Sequence, residues 1–121
     1  MAKVKSVEFE LEKDFKFTFG RAELNQEAKV YLDELYVLLK NNPEYQLEII
    51  GHTDNVGKHL ANYHLSTARA QAVAQYLKQI GLAPDRVKYI GRGDTEPVAP
   101  NDTEENKAKN RRVEFIIFIN R

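Results

Sequence analysis

Hydrophobic residues recur along this chain with two different periods. Val7, Phe9 and Leu11 alternate with Glu8, Glu10 and Glu12, and Phe15, Phe17 and Phe19 alternate in the same way with Lys16 and Thr18. Alternation of this kind marks a half-buried strand, and Lys13-Asp14 between the two runs predicts a hairpin. The period then lengthens. Ala28, Leu32, Leu35 and Leu39 share one face of a helix that Asn25 can cap and Asn41-Asn42-Pro43 stops. Leu47, Ile49 and Ile50 form a short apolar strand that ends at Gly51. A polar loop is expected from His52 to about Asn62. After it comes a second helix carrying Leu65, Val73, Leu77 and Ile80 and closed by Gly81. Val87, Tyr89 and Ile90 make another strand, closed by Gly91-Arg92-Gly93. The stretch from Asp94 to Asn106, rich in Pro, Asp, Thr and Asn, reads as a loop. Val113, Phe115, Ile117 and Ile119 finish the pattern with period 2.

The predicted order is strand, helix, strand, helix, strand, strand, with room for an extra N-terminal strand in residues 1–14. It describes an α+β fold: a two-layer sandwich with a βαβαββ core, a mixed sheet and helices on one face. The 121 residues suffice for a single domain over 1–121. Hydrophobic residues at 42% and charged residues at 30% give a soluble globular composition. The 18 basic and 18 acidic residues cancel, so no long-range field draws in a polyanion and nucleic acid is not expected as a partner. With no cysteine, disulfides, thiolate metal sites and a cysteine nucleophile are excluded. No apolar run approaches the roughly 20 residues of a transmembrane helix.

The richest segment for chemistry runs from Gly51 to Ala70, GHTDNVGKHLANYHLSTARA: a strand end, a polar loop and a helix start. Ligands in layered folds tend to lie outside the carboxyl ends of strands. Asp54 stands just past such an end, and Arg69 is expected in the first turn or so of the next helix, so an anion and a cation would border one crevice. Each has a plainer reading as well. Asp54 suits an Asx-turn, and Arg69 a solvated helix face. His52, His59 and His64 lack the spacing and the companions of a zinc site, so no metal is expected. Ser66 beside His64 lacks an oriented base and an oxyanion hole and reads better as the cap of the second helix. Gly91-x-Gly93 lacks a third glycine and is a weak phosphate signal.

Taken together, Gly51-His52-Thr53-Asp54, Gly57, Asn62, Leu65-Ser66 and Arg69-Ala70 resemble the central pattern of the OmpA-like peptidoglycan-binding domain family, G-H-T-D-x-x-G followed by N-x-x-L-S-x-x-R-A. Phe17-Thr18-Phe19-Gly20 and Ala22-Glu23-Leu24 resemble its first strand and turn. Gly91-x-Gly93, Pro97, Asn101, Thr103 and Asn110-Arg111-Arg112-Val113-Glu114 resemble its closing region, so the likeness spans about residues 15–119. The resemblance implies a non-enzymatic, cofactor-free anchor that holds peptidoglycan through the meso-diaminopimelate of its stem peptide. Asp54 would accept from the ligand's ammonium and Arg69 would fork onto its carboxylate. Thr53, Asn62, Leu65 and Arg111 would line or support the pocket, with Phe19 and Gly20 at its edge; Arg111 also has the plain reading of a solvated charge at the start of the last strand.

Two positions depart from the family pattern. Gly20 stands where many members carry Asp, removing one polar contact. Asn106-Lys107 stands where many carry Gly-Arg; Asn is expected there to keep a turn of positive φ, and Lys107 to keep the charge. Other function classes remain in view: a protein-interaction module of a motor or secretion complex, which is compatible with anchoring and with further envelope partners, and a cell-wall hydrolase, for which no second carboxylate matched to Asp54 is evident in the loop. A peptidoglycan binder belongs in the periplasm, attached to an outer-membrane or membrane-anchored protein. The basic residues Lys3 and Lys5 are followed by no apolar signal core, so a longer precursor carrying the export or anchoring segment is expected.

Overall fold

A computed structural model describes residues 2–10, 24 and 26–119. The turn expected at Lys13-Asp14, the strand expected over Phe15–Phe19 and the Asn25 cap lie outside the described residues. The elements follow the order β1 (Ala2–Glu10), α1 (Gln26–Asn41), β2 (Tyr45–Gly51), α2 (His59–Gln79), a 3-10 turn (Pro84–Arg86), β3 (Val87–Gly91), α3 (Glu104–Asn110) and β4 (Arg112–Ile119). The strands form a mixed sheet in the order β1-β4-β2-β3. β4 runs antiparallel to both neighbours, with Phe115 opposite Val7 on one side and Ile49 on the other. β2 and β3 are parallel, Leu47 opposite Val87 and Gly51 opposite Gly91. Parallel neighbours need a crossover, and α2 supplies it.

The two periods meet in one core. Ala28, Leu32, Leu35 and Leu39 of α1 and Ala70, Val73, Ala74 and Leu77 of α2 close on Leu47 and Ile49 of β2, Val87 of β3, and Val113, Phe115 and Ile117 of β4. Both helices therefore cover the same face of the sheet. Gly81 follows α2 as predicted: its N–H donates to the carbonyl of Lys78 and that of Leu82 to Leu77, which ends the helix in a Schellman pattern with Leu82 buried. No helix among the described residues is long and apolar enough to cross a membrane.

Two glycines set how closely α2 meets the sheet. A Cβ on Gly51 would lie 2.3 Å from the carbonyl oxygen of Ser66, and one on Gly91 would lie 2.4 Å from the backbone nitrogen of Thr67. Both values are below any tolerable contact, so the helix rests directly on the ends of β2 and β3 because those positions carry no side chain. At the opposite end, Arg86 binds the elements together. Its Nη2 donates to the carbonyls of Leu39, Asn42 and Tyr45 at 2.8, 2.9 and 2.8 Å. A cation there satisfies the open carbonyls at the end of α1 and opposes the negative end of its dipole.

Several expectations are corrected. α2 begins at His59, so the polar loop is shorter than predicted and spans only His52 to Lys58. Ser66 is consequently inside the helix, not its cap, and Arg69 lies well past the first turn. The stretch read as a loop up to Asn106 contains the start of α3, whose N-cap Thr103 accepts from the N–H of Asn106 at 3.1 Å. Asn106 and Lys107 are thus helical. No described residue other than glycine has positive φ, and the Asn106 side chain bonds Asp102 at 2.7 Å.

Tyr31 of α1 packs its ring on Phe115 with centroids 5.7 Å apart. Burial, with a contribution from Glu34, pushes its hydroxyl from the ordinary value near 10 up to about 12. The unfolded chain ionises first, so this residue's stabilisation is complete below pH 10 and is lost as pH rises toward 12. Denaturation measured across that window should show stability falling by up to about 1.4 kcal/mol per pH unit from this group. Tyr31→Phe should lack that part of the slope; an unchanged slope would assign the loss to other groups.

Candidate functional site

The chain leaves β2 at Gly51 and is held in place residue by residue. The N–H of His52 donates to the carbonyl of Arg112 at 2.9 Å, extending the ladder to β4, and the N–H of Thr53 donates to Gly93 at 2.8 Å. Thr53 Oγ1 donates to the Asp54 carbonyl at 2.8 Å, and Asn62 Nδ2 reaches the same oxygen from α2 at 3.3 Å. Gly51 to Asp54 are all buried. Beside this segment lies the buried face of α2, which carries Asn62, Ser66 and Arg69 ahead of the apolar residues of the core.

Asp54 makes the turn of its plainer reading and an ion pair besides. Its Oδ1 accepts from the N–H of Val56 at 3.0 Å, the Asx-turn arrangement. Its Oδ2 accepts from Arg111 Nη1 at 2.6 Å, and Nη2 of the same guanidinium donates to Glu104 at 2.7 Å. Arg111 is therefore not a solvated charge. It stands between two carboxylates, from the junction of α3 and β4, with one of them on the strand-end loop and the other on α3. The Asp54–Arg111 pair is largely buried, and removing one member of such a pair leaves the other uncompensated, at about 3–5 kcal/mol.

Arg69 is 6% exposed, so it too is no surface helix charge. It lies two turns beyond Asn62 on the same face, and long helical side chains lean back toward the N-terminus, which is the direction of Asp54. Leu65 is half-buried between these turns. Phe19 and Gly20 lie outside the described residues. Thr53, Asn62, Asp54 and Arg111 are thus joined by hydrogen bonds or shared backbone, and Arg69 and Leu65 belong to the helix that faces them.

The remaining motif residues hold this arrangement. Ser66 Oγ donates to the carbonyl of Tyr63 and accepts from the N–H of Gly93, both at 2.9 Å, tying the second turn of α2 to the loop after β3. Gly91-x-Gly93 is accordingly a place of close approach between loop and helix. Asn110 is fully buried: Oδ1 accepts from Val98 and Ala99, and Nδ2 donates to the Ala99 carbonyl and to Asn101. Arg112, unlike Arg111, turns to the Glu96 carbonyl at 3.0 Å. His52 is buried against Glu114, with Nε2 and Oε1 3.1 Å apart, and His59 bonds Asp94. Among the described residues no group of three or more His, Cys, Asp or Glu is arranged to hold a metal ion. Glu104 is the site neighbour that the sequence did not single out; its only signal is an acidic residue just after the Thr103 cap.

A profile described as the OmpA family matches residues 16–111. The outer membrane porin F of Pseudomonas fluorescens is 38% identical over 104 residues, 86% of this chain and 32% of the porin. The peptidoglycan-binding protein ArfA of Mycobacterium tuberculosis is 44% identical over 79 residues, 65% of this chain and 24% of ArfA. The chain thus spans about a third or less of these two relatives. The solved cell wall anchor of the T6SS from Pseudomonas aeruginosa superposes with a TM-score of 0.81 at 33% identity, covering 94% of this chain and 80% of that one.

The dual role of Ser66 is open to a simple check. Ser66→Ala strips the buried N–H of Gly93 of its acceptor and should lower stability by about 1–3 kcal/mol in urea denaturation. Amide exchange at Gly93 should accelerate with it. A variant as stable as the parent, with Gly93 equally protected, would show that the tie carries no weight.

Proposed function

The chain belongs to the OmpA family, and we propose that it binds peptidoglycan non-covalently through the free amino-acid end of a diaminopimelate stem. The observation that carries this reading is the buried Asp54 carboxylate at the end of β2, fixed by Val56 and Arg111, with buried Arg69 on the facing helix. That ArfA is a peptidoglycan-binding protein and the T6SS component a cell wall anchor supports a cell-wall ligand for this chain too. The family is a binding family, and the domain is not an enzyme.

Diaminopimelate carries an ammonium and a carboxylate on one terminal carbon. Asp54 accepts from the ammonium, and Arg69 takes the carboxylate with its fork. Thr53 and Asn62 hold the loop in shape, Leu65 contacts the aliphatic body and Arg111 positions Asp54; the family resemblance adds Phe19 and Gly20 to the set. A simple anion would satisfy Arg69 and bring nothing to the Asp54 carboxylate, whereas a zwitterion engages both at once. Peptidoglycan lies outside the cytoplasmic membrane, so the domain works in the periplasm, as the wall-gripping part of a larger envelope protein.

Two experiments test this. The purified chain should co-sediment with insoluble peptidoglycan containing diaminopimelate, and much less with walls containing lysine in its place. Equal pelleting with both would remove diaminopimelate as the determinant, no pelleting would favour a protein-interaction role, and released soluble fragments would mean hydrolysis. Asp54→Ala and Arg69→Ala should each weaken binding at least tenfold with the circular dichroism spectrum retained. The loss of a desolvated charged contact is about 2–5 kcal/mol, and an open mouth moves it to the lower end. Parental affinity in either variant would place the pocket elsewhere.

A further inference from the structure

Asp54 does not confront its ligand as a lone carboxylate. Arg111 spends one nitrogen on Asp54 at 2.6 Å and another on Glu104 at 2.7 Å. These three side chains together carry one negative charge. If Glu104 were absent, Asp54 and Arg111 would neutralise each other and offer an ammonium no net attraction. Glu104 is the first residue of α3, just after the Thr103 cap. Its side chain is 78% exposed, against 10% for Asp54 and 14% for Arg111. It therefore stands at the outer, solvent-facing side of the cluster.

We propose that Glu104 is a specificity-determining residue: it offsets Arg111 so that the charge of Asp54 remains available to the ammonium of an amino-acid head group. The inference rests on the binding reading above. With Arg69 included, two carboxylates and two guanidinia make a neutral site, which matches a neutral zwitterion. Without Glu104 the same site carries one positive charge and favours a plain anion. Glu104 acts through Arg111, so it is a positioning residue for charge. Being exposed, it acts with a strength that salt controls.

The test compares the parent chain with Glu104→Gln and Glu104→Asp by chemical-shift titration with meso-diaminopimelate, glycine and acetate, at about 0.01 M and about 1 M ionic strength. The parent should prefer both zwitterions to acetate. Glu104→Gln should bind diaminopimelate about threefold more weakly at low salt. It should bind acetate as well as the parent does or better, and the difference should shrink at high salt. Glu104→Asp should restore the parental order. An unchanged preference in Glu104→Gln overturns the inference, as does an equal loss for all three ligands or a loss that salt does not alter, since either would mean a structural role. These outcomes leave the binding reading intact. A parent chain that binds none of the three, or an Asp54→Ala chain that binds diaminopimelate normally, overturns that reading and the inference with it.

Discussion

The architecture depends on the absence of two side chains. With hydrogen in place of Cβ at Gly51 and Gly91, α2 lies against the ends of β2 and β3 at backbone distance. That approach brings Ser66 within reach of Gly93 and Asn62 within reach of the Asp54 carbonyl. A helix held off by even one methyl at either point would lose these bonds, because hydrogen bonds weaken quickly beyond their short optimum. Glycines that close strands in a sequence are easily read as turn makers. Here their first consequence is lateral, in the packing of a neighbouring helix.

On that base the site is assembled from parts that cost little individually. Asp54 is oriented by a turn bond to Val56 and a salt bridge to Arg111, so its carboxylate is fixed before any ligand arrives. Preorganisation of this kind removes an ordering cost from binding. Asn110 and Arg112, which flank Arg111, hold the loop after β3 by bonds to Val98, Ala99, Asn101 and Glu96. Consecutive residues therefore divide the work: two fix the surroundings and the one between them reaches the site.

Periodicity made the core legible. Ala28, Leu32, Leu35 and Leu39 are all buried as their spacing implies, and Val113, Phe115 and Ile117 alternate inward as read. What local pattern could not reveal was held by distant contacts. The start of α2 was hidden because Lys58 provides no side-chain cap; that turn is held by Asn62 and the loop it reaches. Ser66 looked like a cap because serine favours caps, yet its hydroxyl serves Tyr63 and Gly93. α3 is short and polar, and its signals, Thr103 followed by Glu104 and Glu105 and then by Lys107 and Lys109, were masked by the surrounding loop composition. The family resemblance pointed to Asp54, Arg69 and Arg111. It did not reveal that Asp54 and Arg111, 57 positions apart, are bonded to each other, nor that Glu104 completes the bridge.

The pairing of β1 with β4 has a mechanical meaning. Ala2 lies opposite Ile119, and Glu10 lies opposite Arg112, next to Arg111. Tension applied at the Ala2 end of β1, against a hold at the Arg112 end of β4, would draw the two strands lengthwise past each other. Their hydrogen bonds run across the strands, so they would bear that load side by side and not open one at a time from an end. The antiparallel register that completes the sheet is thus also a shear joint, in which a pull along β1 is shared by all the bonds that cross to β4.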